Sequence, residues 1–335
     1  MMSQPISTPP RGMPAEQTDF PRLRVGVSSC LLGNKVRFDG GHKRDSFLTD
    51  TLGRYVEWVA VCPEVEIGLG TPRETLRLQR QGSHIRLLMP QSGADYTAAM
   101  RAYAQRRVIE LDAENLDGYI LKKDSPTCGM ERVRVYEPNG IPHRDGVGMF
   151  AQVLMRHCPH LPIEEEGRLH DPRLRENFIS RMFAYRRWRE MAARGITRAN
   201  LIRFHEQYKF LLMAHNQEGT RRLGRLLGNA KQFPSDQSLA DAYLAEFTAV
   251  MRRVPTVRSH TNVLQHLVGY ISNQLDNDER AELAETIHQY RRGLLPLIVP
   301  LMLLRHYVRK FKTPYLLGQV YLNPHPYELA LLNQL

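Results

Sequence analysis

Between residues 24 and about 161, short apolar runs alternate with longer stretches whose apolar residues recur at helical spacing. This is the pattern of βα units and predicts an α/β region built on a mainly parallel sheet. The expected strands are RVGVSS (24–29), WVAVC (58–62), IRLLM (85–89) and GYILKK (118–123). Helical spacing over 46–57, 94–111 and 150–158 predicts helices, the last entered from a loop at HRDGVG (143–148).

Beyond residue 172 the strand signals fade and amphipathic runs take over, as at 174–188, 199–215 and 238–251. The pattern therefore predicts a tail over 1–20, an α/β domain over 21–172 and an all-α domain over 173–335, with the clearest break in MAARGITR (191–198). A length of 335 residues agrees with two cores better than one. The tail is rich in Pro, Ser and Gln and lacks an apolar segment after a basic start, so it reads as disordered and not as a signal peptide. The most apolar later stretch, 294–304, is about half a membrane span and holds Pro296 and Pro300. A soluble, cytoplasmic protein with no membrane partner is expected.

Charge adds a partner class. The net charge is +11; 25 Lys and Arg against 17 Asp and Glu give +8 from Leu161 to Leu335, and 21 against 18 give +3 before it. A basic helical half suits a polyanion, although many basic proteins bind no nucleic acid.

Four cysteines, at 30, 62, 128 and 158, are too few and too far apart for a disulfide scaffold and suit a reducing compartment and a metal site. Cys30 and Cys62 close expected strands and Cys128 lies in the loop DSPTCG after a third. Open α/β sheets bind ligands beyond the carboxyl ends of their strands, so these three converge on one edge. Buried structural thiols are the plain alternative. Zinc is the rival metal, but the C-x2-C pair common in structural zinc sites is absent. Three thiolates would leave one iron of a 4Fe-4S cubane open to substrate. Cys158 closes a helix in RHCPHLP and reads as a structural thiol, with a fourth-ligand role left open.

The motifs SSCLLG (28–33), RFDGGHKR (37–44), VCPEVEIGLGTPRE (61–74) and KKDSPTCG (122–129) together resemble the thiouracil desulfidase family. The resemblance implies a Rossmann-like domain in which Cys30, Cys62 and Cys128 hold a 4Fe-4S cluster with three protein ligands, and in which Glu64 and Ser125 are the catalytic pair. Without it, Glu64 reads as a turn carboxylate and Ser125 as a cap beside Pro126. The second half is similar to another once-uncharacterised family through YKFLLMAH (208–215), HTNVLQHLVGY (260–270), YRRGLLPLIVPLMLLRHY (290–307) and YLLGQVYLNPHP (315–326). The fusion resembles the tRNA 4-thiouridine desulfidases, which implies removal of sulfur from a thiolated uracil in tRNA, with the helical domain helping to hold the RNA.

Net hydrolysis of the thiobase needs no electron donor, and a carboxylate two residues from a ligand is placed to move the protons of water. In RFDGGHKR, Arg37, Asp39, His42, Lys43 and Arg44 are candidates to grip phosphate or shuttle a proton, against a solvated loop as the alternative. Further RNA candidates are Arg186, Arg187, Lys209, Arg221, Arg222, Arg291, Arg292 and Lys310, though arginines on amphipathic helices more often form a solvated face. His205, His215, His260, His266 and His306 lack metal-site spacing and are expected as core or capping groups. Free 2- or 4-thiouracil as substrate, or a non-catalytic cluster-bearing regulator that binds nucleic acid, are the competing readings.

Overall fold

The computed structural model describes residues 20–329 and Leu331, so the expected tail lies, except for Phe20, outside the described residues. In chain order the first half comprises β1 (Leu23–Ser28), a 3-10 turn (Ser29–Leu32), β2 (Val56–Val61), α1 (Pro63–Glu66), β3 (Arg77–Gln81), β4 (His84–Leu88), α2 (Thr97–Ala113), β5 (Gly118–Leu121), β6 (Val133–Tyr136), β7 (Pro142–Gly146), α3 (Met149–His157) and β8 (Ile163–Glu165).

Strands β2-β1-β5-β8 form a wholly parallel sheet. Val25 and Val27 of β1 and Ile120 and Leu121 of β5 are fully buried, which is why these central strands read as near-continuous apolar runs. Strands β4-β3-β6-β7 form a second, mixed sheet: β3 pairs antiparallel with β4 and parallel with β6, and β6 pairs antiparallel with β7.

Three expectations need correction. The IRLLM strand exists as β4 but belongs to the second sheet, not the parallel one. The helix expected over 46–57 is helical only over 46–54 and irregular, a π-helical turn at Phe47–Thr51 running into a 3-10 turn at Leu52–Arg54, because Val56 and Glu57 are taken into register against Leu23 and Arg24. The segment read as the loop HRDGVG contributes β7, whose side chains up to Asp145 are exposed and so carry no alternation to betray it.

The second half is helical: α4 (Pro172–Ala193), α5 (Arg198–His215), α6 (Gln217–Gly228), α7 (Asp236–Met251), α8 (Val257–Ile271), α9 (Asn277–Arg291), α10 (Ile298–Phe311) and α11 (Pro314–Leu317). Its starts are chemically specified. Asp171 accepts from the amides of Arg173 and Leu174 ahead of α4, and capping boxes open α7, α8 and α9. The core is aromatic, with Trp188 stacked on Tyr243 at 5.6 Å and Phe204 on Tyr208 at 4.4 Å.

Helix α4 serves both halves. Phe178, Ile179, Met182 and Phe183 pack beneath the parallel sheet with Val25 and Val27, while Ala184 and Trp188 enter the helical core. The approach is so close that a Cβ on Gly118 of β5 would meet Met182 Sδ at 2.6 Å. Further along, Arg189 and Arg186 lie 3.2 and 3.7 Å from the fully buried carboxylate of Asp117, which also accepts from the Arg24 amide at 2.8 Å. No described helix is long and apolar enough to cross a membrane.

Candidate active site

In the strand order β2-β1-β5-β8 the chain leaves β1 toward β2 and later returns past it to β5. The carboxyl ends of these strands thus meet at a switch point, where open α/β sheets leave a crevice. A cavity of about 630 Å³ opens there, and Cys30, Cys62 and Cys128 all line it. Cys30 lies in the 3-10 turn after β1, where its carbonyl accepts from the amides of Gly33 and Lys43. Cys62 follows β2 directly and caps α1, with Pro63 at the first helical position; its amide donates to Glu66 Oε1 at 3.0 Å, and Tyr103 holds the other oxygen of Glu66 at 2.6 Å. Cys128 is carried by the loop after β5, tied down because its amide donates to Ser125 Oγ at 3.1 Å. The loop is compact: a Cβ on Gly129 would lie 2.9 Å from the Ser125 carbonyl.

All four cysteines are free thiols. Burial pushes the Cys30 thiol up to about 11 and that of Cys128 up to about 12, and raises Cys62 in the same direction. Such thiols are weak free nucleophiles at neutral pH and suit ligation, in which a bound metal displaces the proton. Among the described residues no group of three or more His, Cys, Asp and Glu side chains is set to hold one metal ion. The cysteine sulfurs of a cubane bond different irons, so a cluster asks for convergence at longer range than a single ion does. Three free thiols line one cavity, the donor type that such clusters use.

Glu64 and Ser125 line the same cavity and are joined by Thr127. Thr127 Oγ1 donates to Glu64 Oε1 at 2.8 Å and lies 3.0 Å from Ser125 Oγ. A hydroxyl has one proton to give, so with Thr127 donating to the carboxylate the Ser125 hydroxyl donates to Thr127. Arg73 grips the other oxygen of Glu64 at 2.5 Å and spans to the Val36 and Gly70 carbonyls, each at 3.0 Å. Neither Arg73 nor Thr127 stood out in the sequence, although both lie inside the four motifs, because a polar residue in a loop reads first as turn chemistry. Lys122 also lines the cavity and is paired with the buried Glu166.

Arg37 and Lys43 also line the cavity, with the Arg37 guanidinium 5.2 Å over the half-exposed ring of Phe38. Arg44 does not, being paired with Asp50; Asp39 and His42 are outside the lining as well. Cys158 caps α3 with its sulfur 3.9 Å from Asp112, in a different pocket beside Arg168 and Arg181.

Among the described residues, none of the helical half lines the cavity. Arg186 is held by Glu190 and Asp117, Arg187 donates to the Pro324 carbonyl at 2.9 Å, Arg222 pairs with Glu246 and Lys310 with Glu279. Arg291 and Arg292 are exposed at the end of α9, and Lys209 is half-buried on α5. Among the histidines, His205 and His260 bond Tyr243 and Tyr321, and His215 donates to the Arg253 carbonyl, all within the helical half. His266 and His306 depart from the expected core or capping role and face solvent.

Comparison with known proteins matches these two halves to two families. The sequence model described as 2-thiouracil desulfurase covers residues 25–166, which include every residue lining the cysteine cavity. The chain belongs to the 2-thiouracil desulfurase family. Residues 209–326 match a second model, a protein family of unknown function designated DUF1722. Among curated proteins, the uncharacterized protein YbgA of Escherichia coli is 32% identical over 46% of this chain and 91% of its own length. The uncharacterized protein YbbK of Bacillus subtilis is 30% identical over 31% and 71% respectively. Among solved structures, the 4Fe-4S-dependent thiouracil desulfidase TudS is 33% identical over 44% of this chain and 94% of its own, with a TM-score of 0.36. The desulfurase domain is thus the part that carries the cysteine cavity, and the DUF1722 segment lies wholly in the helical half.

Proposed function

We propose that this protein is an iron-sulfur-dependent desulfidase that removes sulfur from 4-thiouridine in tRNA, leaving uridine and sulfide. The observation that carries the reading is the meeting of three free thiols with the Glu64–Thr127–Ser125 chain in one cavity of the desulfurase domain. Cys30, Cys62 and Cys128 would hold a 4Fe-4S cluster, leaving one iron without a protein ligand. When bound, such a cluster supplies a Lewis acid for a soft thiocarbonyl sulfur.

The chain's own residues manage the protons. Both hydroxyls donate toward Glu64, so a proton taken from water by Ser125 reaches the carboxylate through Thr127 in three transfers, water to Ser125, Ser125 to Thr127 and Thr127 to Glu64, and returns by the same route to the departing sulfur. Arg73 fixes the orientation of Glu64 while this happens. The balance is hydrolytic: thiocarbonyl and water give carbonyl and hydrogen sulfide, and the carbon keeps its oxidation level. Arg37, Lys43 and the stacking face of Phe38 supply a grip on phosphate and base at the mouth. A base buried in folded tRNA has to be turned outward to enter.

The absence of described helical-half residues from the cavity lining favours one second reading, in which the substrate is free 2- or 4-thiouracil. Anaerobically reconstituted protein should bleach the near-ultraviolet band of 4-thiouridine-containing tRNA with matching sulfide release, and at much higher kcat/KM than it desulfurates free 4-thiouracil. Equal or better turnover of the free base would select the second reading.

A further inference from the structure

The helical half holds a second cavity, of about 110 Å³, framed by α4, α5, α8 and the segment after α9. It is lined by Glu176, Ser180, His215, His260, Tyr290 and Tyr321 over an apolar floor that includes Leu211 and Leu301. A volume of this size admits about three or four waters, or an organic group somewhat smaller than the benzene that occupies a cavity of ~150 Å³ in another protein.

Its polar groups are unevenly satisfied. Tyr321 bonds His260 Nδ1 at 2.9 Å, and His215 Nδ1 donates to the Arg253 carbonyl at 2.6 Å, which leaves His215 Nε2 as an acceptor. The Glu176 carboxyl and the Tyr290 hydroxyl have no hydrogen-bond or ion-pair partner among the described residues, although Tyr290 is 5% exposed. Arg173, one turn before Glu176 on α4, also lines the cavity and lowers the carboxyl's affinity for protons but makes no ion pair with it; its guanidinium is turned to the Pro255 carbonyl at 3.3 Å, so a bound cation has to share the Glu176 carboxylate with it. Burial dominates and pushes Glu176 up to about 7, while His215 and His260 are held well below the usual imidazole range and stay neutral. The partly exposed carboxyl of Glu176 and the Tyr290 hydroxyl thus face one cavity with their acceptor oxygens open to a donor that enters it.

We propose that this cavity is a binding site for a small organic cation, a primary ammonium or a guanidinium on a short apolar stem. Glu176 answers its charge, His215 Nε2 and the Tyr290 oxygen accept its hydrogens, and the rings of Tyr290 and Tyr321 offer π faces to it. The site is separate from the cysteine cavity and does not depend on the desulfidase reading. It lies on the face of α4 opposite Phe178 and Met182, which pack beneath the parallel sheet.

The test uses the full chain and three probes of similar size: propylammonium, methylguanidinium and neutral propanol. Calorimetry and thermal unfolding should show saturable one-to-one binding of at least one cation and none of propanol. Glu176→Gln should weaken that binding at least tenfold, and Tyr290→Phe should weaken it measurably if the Gln variant fails to fold. No saturable cation binding at millimolar concentration, propanol bound as well as the cations, or affinity unchanged in both variants would overturn the proposal.

Discussion

The side chain that most needs explaining is Thr127. It touches Glu64, Ser125 and, at 3.6 Å, the sulfur of Cys128, so it would set the alignment of the proposed proton route while contacting a proposed cluster ligand. Thr127→Val keeps the shape and removes the hydroxyl. It should lower kcat on 4-thiouridine tRNA by about tenfold to a hundredfold with iron content and KM unchanged, and Thr127→Ser should recover most of the loss. A fall in iron content that matches the fall in rate would make the residue structural instead. Glu176 gives a prediction in pH. Its folded value near 7 lies above the ordinary 4.5, so between these values the folded protein binds the proton more tightly than the unfolded chain. Stability from this group is fully present below about pH 4.5 and is lost as pH rises through 7, at most on the order of 3 kcal/mol. Denaturant midpoints of Glu176→Gln should accordingly be flatter than those of the parent across that window. The convergence of Cys30, Cys62 and Cys128 on one cavity was legible because each follows an expected strand, whereas Glu64 and Ser125 were singled out by the family resemblance alone. Thr127 and Arg73 were not, since their importance lies in contacts across 63 and 9 residues of sequence.

At the scale of elements, the central parallel strands β1 and β5 announced themselves because both faces are buried, and the helical half because its apolar stripe repeats and its caps are strong. The second sheet stayed hidden. Its β3, RLQRQ, and β7, PHRDG, are mostly polar, and only pairing with β4 and β6 makes them strands. Helix α4 begins at the expected boundary between the two domains, and its successive turns serve two cores. Its seat on β5 is tight at Gly118, so Gly118→Ala should destabilise the fold by roughly 1–3 kcal/mol. Adding Met182→Ala should cost less than the sum of the two single changes, since each relieves the same crowding. Strict additivity in equilibrium unfolding would show that α4 does not press on this strand.

For the whole molecule, the cysteine cavity and the exposed cations of the helical half lie on different parts of one chain, and the tRNA reading requires them to act on one substrate. The double change Arg291→Ala/Arg292→Ala should raise KM for tRNA and reduce the salt dependence of binding by about one unit of slope for each phosphate no longer neutralised, while turnover of free 4-thiouracil is unchanged. Equal effects on both substrates would remove the helical half from RNA binding. All of this depends on the cysteine cavity holding a cluster. The most direct measurement is iron and acid-labile sulfide per chain after anaerobic reconstitution, in the parent and in four single variants. The account predicts roughly four of each in the parent and in Cys158→Ala, with loss in Cys30→Ala, Cys62→Ala and Cys128→Ala. Retention of the cluster in Cys128→Ala together with its loss in Cys158→Ala would contradict it.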